Sequence, residues 1–435
     1  MPILYLLILL IPFQMHPVLG MRLVGFITVI KLVGIIALLY ALVYRSIGGG
    51  QRLLGSRIGQ LFCVFTVFAL ASFIIFYDPL ISHGKHIILI SFFTLFLVAL
   101  TFVDSKEKLR KCLWVCVIAL FLGSISLIKG AIQYGGRAGG GFGDCNIYAA
   151  NAVLILPIAY YLFLSEKRHT YRMILLGIMA LMAVGIVMAR SRGAAAGLLT
   201  VLLIMSWQSS KKIKAFLGVA MLIIILLPFV PESFWARMGL FGYEQDVGAK
   251  KSTEAHIQRW HAGLRMIKNH PLLGVGLDNF YYSLNKYLSG FTGHSAKRGG
   301  GQAHNGYIEI TAELGIPGFC LYIAMIVFTF LALRKVKKRA IASSDHLMLN
   351  FAKGFQAGLA GFLVCVFFVN AQDQKLFWLV LFLVIVLDNL GSVRISTVPA
   401  FRPYSPLALS RNKIYAVPFK RGLQNHVNPF RRSKM

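Results

Sequence analysis

Apolar runs of about 18 to 20 residues recur along this chain, and each is long enough to cross a bilayer as one helix. The recurrence predicts an all-α polytopic membrane protein. The opening run from Pro2 lacks a basic leader and a small-residue cleavage site, so we interpret it as the first span and not as a removed signal. About twelve spans are expected, near residues 2–19, 22–43, 58–77, 86–103, 112–131, 147–165, 173–189, 193–208, 215–231, 315–333, 350–370 and 376–393.

Basic residues are concentrated in every second connection between these spans. They are Arg45, Arg52 and Arg57; Lys106, Lys108, Arg110 and Lys111; Lys167, Arg168 and Arg172; Lys211, Lys212 and Lys214; Arg334, Lys335, Lys337, Lys338 and Arg339; and the tail from Arg394 to Lys434. Because basic loops stay in the cytoplasm, both termini are expected inside. We therefore predict spans over residues 1–231, a large outer loop with short helices over 232–314, further spans over 315–393 and a basic cytoplasmic tail over 394–435.

The net charge of +30 would suggest a nucleic-acid partner in a soluble protein. Here the loop topology explains most of that charge, and we expect no nucleic-acid partner. Basic segments next to a membrane are attracted to anionic lipids, so the tail is expected to contact lipid headgroups.

Three arginines fall in the shorter connections of the predicted outer face, where positive charge is disfavoured. Arg190 and Arg192 lie in "ARSRGAAAG", a turn too short to leave the membrane surface, and Arg137 lies in another outer connection. Arginine at that depth is costly unless it pairs with an anion, although snorkelling to lipid phosphate would also accommodate it. Several guanidinium groups together suit a pyrophosphate headgroup whose lipid tail stays in the bilayer.

The large outer loop contains a predicted helix from Glu254 to Asn269, which His270 and Pro271 end. Helical spacing predicts a buried stripe of Ile257, Trp260, Leu264 and Ile267, and an opposite polar face of Gln258, His261, Arg265 and Lys268. That polar face is either simply solvated or part of an anion site with the outer arginines. Acidic residues of the outer side are scattered, without an Asp-x-Asp pair, so we expect arginines and no metal ion to neutralise a leaving phosphate.

His304 follows a glycine-rich stretch and opens "HNGYIEITAEL", a short predicted helix that stops at Gly315 and Pro317 before the next span. A histidine at or just before a helix N-terminus has a lowered pKa and stays neutral, so it is able to accept a proton from an attacking hydroxyl. The alternative is a histidine that only caps the helix. His294, in "TGHSAK", is a second and less well placed candidate.

Four segments together resemble the O-antigen ligase and polymerase superfamily of bacterial envelope glycosyltransferases. They are, in chain order, "GFGDCNIYAA", "ARSRGAAAG", "RWHAGLRMIKNHPLLGVGLDNF" and "HNGYIEITAELGIPG". The resemblance covers about residues 140 to 330. It implies a GT-C-type membrane fold without cofactors, acting on an undecaprenyl-pyrophosphate-linked glycan at the periplasmic side of the bacterial inner membrane.

Matched residue by residue, the motif histidine of the family falls on His304. Its motif arginines fall on the Arg190/Arg192 turn and on Arg265, with Arg259 as a neighbouring alternative. We assign catalytic roles to His304, Arg265 and Arg192. The candidates for substrate binding are Arg190, Arg137, Arg259, His261, Asn305 and His294.

The resemblance implies a metal-independent transfer of a glycan to an acceptor hydroxyl, with lipid A-core as the expected acceptor. In-line displacement by that hydroxyl would invert the anomeric centre. Polysaccharide polymerases and protein O-glycosylation ligases belong to the same superfamily. Ligases often carry a second histidine two residues before the motif histidine, where this chain has Gln302. A lipid-glycan flippase or exporter is the alternative from another class, but it needs ionisable residues at mid-depth, and only Lys31 and Lys353 are candidates.

Overall fold

The structure is a computed structural model that describes residues 1–13, 22–24, 27–76, 84–134, 140–226, 247–288 and 301–393. Within these ranges the regular secondary structure is helical apart from a small hairpin of β1 (Arg22–Val24) and β2 (Ile27–Thr28). The helices are α1 (Pro2–Leu10), α2 (Val29–Ser46), α3 (Arg57–Ile75), α4 (Lys85–Phe102), α5 (Lys106–Tyr134), α6 (Cys145–Ser165), α7 (His169–Ala189), α8 (Arg192–Gln208), α9 (Lys212–Leu226), α10 (Val247–Asn269), α11 (Phe280–Tyr287), α12 (Gly306–Ala342), α13 (His346–Val366) and α14 (Lys375–Val393). The prediction of an all-α polytopic membrane protein is confirmed.

Among the described residues, nine helices are long and apolar enough to cross a membrane: α2 to α7 and α12 to α14. The other three predicted spans coincide with α1, α8 and α9, which are shorter in the ranges that the structure describes. The predicted basic tail and the loop residues 232–246 and 289–300 lie outside the described residues.

Helix α13 packs against α6, α8, α12 and α14. Glycines make its closest approaches possible. A Cβ added at Gly358 would collide with the carbonyl oxygen of Leu154 on α6, and one at Gly361 would meet the carbonyl of Gly197 on α8 at 2.8 Å. Small residues at such crossings let backbones pack closely inside a membrane, where burial of apolar surface does not drive helices together.

Helix α12 is divided by a kink at Gly315, which has a φ of 67° and lies two residues before Pro317. The predicted stop at this point is therefore a kink in the structure. The segment that follows α10 forms backbone hydrogen bonds with the kinked part of α12. The amide of Val275 donates to the carbonyl of Ala312, and the amide of Ile316 donates to the carbonyl of Pro271. These bonds satisfy backbone groups that the kink releases from the helix, as an apolar environment requires.

Helices α10 and α11 form a small separate core with Ala303, which precedes α12, and Ala312, which lies within it. Its buried members include Ala262, Met266, Phe280 and Leu284. The predicted buried stripe of α10 is wrong in part, because Leu264 is 53% exposed and Ile257 is 45% exposed. In a membrane protein an apolar side chain does not need to face the protein core, so hydrophobic spacing alone does not identify the packed face.

Candidate functional site

Three arginines from two separate parts of the chain line one cavity of about 360 Å³, which we call the arginine pocket. Arg190 and Arg192 come from the turn between α7 and α8, and Arg259 comes from α10. The remaining lining residues are Asn146, Ser191, Gly193, Ala255, His256, His304 and Phe368. The lining that the structure describes contains no carboxylate.

The turn between α7 and α8 fixes the first two arginines. Arg190 ends α7 in the left-handed conformation, with φ 47° and ψ 44°, which is uncommon for a residue with a side chain. Ser191 then caps α8, and its hydroxyl accepts a hydrogen bond from the amide of Ala194. Arg192 follows as the first residue of α8. Two arginines thus lie next to a helix N-terminus, an arrangement that attracts anions.

Arg259 lies on the face of α10 that also carries the buried Ala262 and Met266. Its guanidinium lies against Gly301, where an added Cβ would be 3.2 Å from the guanidinium carbon. In the part of the chain that the structure describes, no carboxylate forms an ion pair with Arg190, Arg192 or Arg259. Within those described ranges the three guanidinium groups have no acidic partner, and such a group of cations suits an anion with several oxygen atoms.

His304 lines the arginine pocket and also a second cavity. Its φ is 53°, so its backbone is left-handed like that of Arg190. Such conformations persist where surrounding contacts hold them, and they cluster at functional sites. The imidazole stacks on that of His256, with ring centroids 4.4 Å apart and planes 19° apart.

The residue before His304 is held from two sides. The indole nitrogen of Trp260 donates to the carbonyl of Ala303 at 3.0 Å, and the amide of Ala303 donates to Oε2 of Glu309 at 2.9 Å. The residue after it, Asn305, caps α12 by accepting from the amides of Tyr307 and Ile308. The loop that carries His304 is therefore fastened to both α10 and α12.

Burial lowers the pKa of His304 from its ordinary value of 6.5, and the nearby charge of Arg259 lowers it further. Asp144 and Glu309 act in the opposite direction. The pKa of His304 is shifted in the direction expected from the sequence. The leading cause is burial, whereas the sequence argument relied on the helix N-terminus. A neutral imidazole is the form that accepts a proton or a hydrogen bond from a hydroxyl.

The second cavity, of about 550 Å³, has a different chemistry, and we call it the carboxylate cavity. Asp144 and Asp373 line it, together with Ile11, Ile88, Phe142, Gly143, Ile147, Gln302, His304, Val369, Asn370, Gln374 and Lys375. Burial raises the pKa of Asp373. Carboxylate and amide groups are the hydrogen-bonding partners that sugar hydroxyls need, since each hydroxyl both donates and accepts. His304 lies between this cavity and the arginine pocket.

A buried ion cluster lies below the His304 loop. The ammonium of Lys85, at the start of α4, lies 2.7 Å from Glu309 and 2.7 Å from Glu313 on α12. The carboxylate of Glu309 also accepts hydrogen bonds from the side-chain amides of Asn370 and Gln372. Glu309 thus connects the ion cluster to the Ala303 amide. Within the described ranges, no group of three or more His, Cys, Asp or Glu side chains is placed to hold a metal ion.

Several predicted site residues lie elsewhere. Arg265 is exposed and donates to the carbonyl of Tyr287 at 3.0 Å, so it does not line the arginine pocket. His261 is exposed on the same outer face of α10, and the side chain of Asn305 is used as the helix cap. Arg265 and His261 lie outside the arginine pocket because α10 is rotated so that Arg259 faces inward. Arg137 and His294 lie outside the described residues.

Sequence reasoning missed His256, Asp373 and the ion cluster around Glu309. His256 lies near Arg259 on α10, and recognition of the inward face of that helix would have identified it. Glu309 and Glu313 have a spacing that places both on one side of a helix, at the edge of an apolar segment. Buried carboxylates at such a position require a cationic partner.

The family model described as O-antigen ligase matches residues 177–323 of this chain. The matched range contains the arginine turn, α10 with Arg259, and the loop that carries His304. No curated protein matches the chain.

Proposed function

We propose that this chain, which the O-antigen ligase family model matches over residues 177–323, is a member of that superfamily and moves a glycan from undecaprenyl pyrophosphate to an acceptor hydroxyl. The acceptor that we assign is lipid A-core, which makes the reaction O-antigen ligation. One observation carries this proposal: His304 lies between a cavity lined by three arginines and a cavity lined by carboxylates and amides.

The arginine pocket suits the pyrophosphate of the donor. Guanidinium groups bind phosphate oxygens through two parallel hydrogen bonds, and Arg190, Arg192 and Arg259 supply three such groups. Negative charge grows on the departing pyrophosphate as its bond to the sugar breaks. Fixed cations aimed at that charge stabilise the transition state more than the ground state, and this difference is what accelerates the reaction. No metal ion is required in this scheme.

The acceptor sugar fits the carboxylate cavity, with its reacting hydroxyl at His304. The hydroxyl oxygen attacks the anomeric carbon, and the bond between that carbon and the pyrophosphate oxygen breaks, with its electron pair passing to the pyrophosphate. The proton of the hydroxyl passes to the neutral imidazole of His304. Attack opposite the leaving group inverts the anomeric centre.

The same proposal gives the chain an orientation. The arginine pocket would face the periplasm, both termini would be cytoplasmic, and the membrane would be the bacterial inner membrane in a GT-C-type arrangement. Alternation of basic connections supports this orientation.

Polymerisation of repeat units is a second candidate, since it differs in acceptor and not in chemistry. Gln302 favours it, because ligases of the resembling family often carry a histidine at that position, and here Gln302 lines the carboxylate cavity. Transfer to a protein hydroxyl is the remaining reaction type of the superfamily.

The direct test is glycan transfer by the purified protein in lipid nanodiscs, with an undecaprenyl-pyrophosphate-linked polymer as donor and lipid A-core as acceptor. His304→Ala should lower the rate by roughly 10²- to 10⁴-fold, as for other lost acid–base groups, and leave donor binding largely intact. His261→Ala, on the exposed face of α10, is the matched control and should retain the rate of the unaltered protein.

A deletion strain separates the two candidate reactions. Loss of all polymer from the lipid core, with polymer retained on the carrier, identifies a ligase. Attachment of a single repeat identifies a polymerase. A normal transfer rate in a folded His304→Ala protein would refute the role of the histidine.

A further inference from the structure

The imidazole of His304 lies between two cavities, so the direction of its ring nitrogens decides which cavity they serve. Rotation of a histidine ring about its last side-chain bond is soft, because a torsion next to a planar ring has a broad energy well. In many acid–base and metal-binding histidines a hydrogen bond from the second nitrogen to a carboxylate or a carbonyl fixes the ring. Within the described ranges, no protein group forms a hydrogen bond with the ring of His304. The plane of this ring therefore depends on another contact.

A second imidazole supplies that contact. The ring of His256 on α10 is stacked on the ring of His304, with centroids 4.4 Å apart and planes 19° apart. Near-parallel rings at this separation attract each other, and rotation of either ring would drive its edge into the other. His256 is among the described residues that line the arginine pocket but not among those that line the carboxylate cavity. It therefore supports His304 from the pocket side and leaves the acceptor side open.

Helix α10 is itself fixed to the loop that carries His304. Trp260 lies one turn after His256 on the same side of the helix, and its indole nitrogen donates to the carbonyl of Ala303 at 3.0 Å. The ring of Trp260 also packs edge-on against Phe367, with centroids 5.5 Å apart. One side chain of α10 thus holds the backbone before His304, and another holds the imidazole. Together they set both the position and the plane of the ring.

We propose that His256 is a positioning residue, whose ring replaces a hydrogen-bonded orienting group and keeps the His304 imidazole directed at the acceptor hydroxyl. The catalytic consequence rests on the proposed function, whereas the stack does not. In this role the ring of His256 acts through its shape and not through its nitrogens. A direct hydrogen bond from His256 to the donor pyrophosphate would instead require a nitrogen. His256→Phe keeps the shape without the nitrogens and His256→Ala removes both, so the two variants separate these roles.

Initial rates of glycan transfer in nanodiscs test the effect on the reaction. His256→Ala should lower kcat about three- to tenfold, which corresponds to the loss of one ring stack, and leave the KM for the donor unchanged. His256→Phe should keep the kcat of the unaltered protein. Equal losses of kcat in the two variants, or an unchanged kcat in His256→Ala, would overturn the proposal. A raised KM for the donor in both variants would assign the nitrogens of His256 to the pyrophosphate and overturn it as well.

His261→Ala is the matched control, because it is the same substitution on the exposed face of α10. It should retain the kcat and the donor KM of the unaltered protein. Thermal unfolding checks that each variant is folded. If His256→Ala is unstable, His256→Phe still tests the proposal, since it preserves the packing of a ring. Loss of kcat in a folded His256→Phe protein would then overturn the role of the stack.

A chemical measurement tests the stack without any glycan transfer. Diethyl pyrocarbonate modifies the nitrogens of neutral imidazoles, and mass spectrometry of the digested protein gives the rate of modification at His304. A stacked ring rotates less and has one face covered, so His304 should react about three- to tenfold faster in His256→Ala than in the unaltered protein or in His256→Phe. Equal rates in the three proteins would overturn the proposal. The expected rates in a protein that transfers no glycan would refute the proposed function alone.

Discussion

Replacement of Arg259 by alanine should reduce glycan transfer far more than the same replacement of Arg265 on the same helix. Arg259 lines the arginine pocket next to His304, whereas Arg265 is exposed and donates to the carbonyl of Tyr287. The two variants remove the same side chain from α10. They differ only in which face of the helix loses it, so each is a control for the other.

The expected magnitudes follow from these surroundings. Loss of one preorganised donor to a developing oxyanion costs about 10²- to 10³-fold in kcat, and we expect a loss in this range for Arg259→Ala. Loss of the Arg265 hydrogen bond should cost about 0.5 to 1.5 kcal/mol of stability, with little effect on the rate. Arg259→Lys should be nearly as inactive as Arg259→Ala, because a single ammonium does not reproduce two parallel hydrogen bonds.

The assay is the initial rate of polymer transfer in nanodiscs, with saturating acceptor and a range of donor concentrations. Thermal unfolding and size-exclusion chromatography check that each variant is folded. A folded Arg265→Ala protein that loses transfer, beside an Arg259→Ala protein that keeps it, would refute the reasoning. In that case the outer face of α10 would carry the function, as the sequence motif alone suggested.

Four further predictions concern pH, stability, topology and metal ions. Because the pKa of His304 is lowered from 6.5, its imidazole stays neutral below that pH, and kcat should fall only under more acidic conditions. Arg259→Ala removes a charge that lowers this pKa, so the acidic limb of its pH–rate profile should move to higher pH. Lys85→Met leaves the buried carboxylates of Glu309 and Glu313 without their cation, so it should destabilise the protein by about 3 to 5 kcal/mol, measured by chemical unfolding. In intact spheroplasts of a strain whose native cysteines are replaced, a cysteine at Ser252 should react with an impermeant thiol reagent and one at Ser343 should not; the reverse pattern would overturn the orientation. Transfer should survive EDTA, and its abolition with rescue by magnesium or manganese would contradict a metal-free reaction.

Hydrophobic length was sufficient to predict the helical architecture and most helix positions, because spanning a bilayer requires a fixed number of apolar residues. The arginine turn could be located for the same reason, since it interrupts two such runs. The end of α10 at Asn269 was predicted from His270 and Pro271, and the interruption at Gly315 was predicted from the glycine and the proline that follows.

The orientation of α10 could not be predicted in this way. Its exposed face carries Ile257 and Leu264, which are apolar, while its inward face carries Arg259. Hydrophobic spacing assumes that apolar residues are buried in protein, and this assumption fails near a membrane. Lys85 illustrates a second limit: its partner Glu309 lies 224 residues away along the chain. The pairing depends on tertiary packing that no local pattern encodes.

The position of His304 between two cavities has a chemical consequence when no acceptor is bound. Water can then occupy the carboxylate cavity, on the side of the imidazole from which the acceptor hydroxyl would attack. A histidine that takes a proton from a sugar hydroxyl is also suited to take one from water. With donor bound and acceptor absent, the protein should therefore release free polymer slowly by hydrolysis. The ratio of free to transferred polymer would then measure how completely the acceptor excludes water from its cavity.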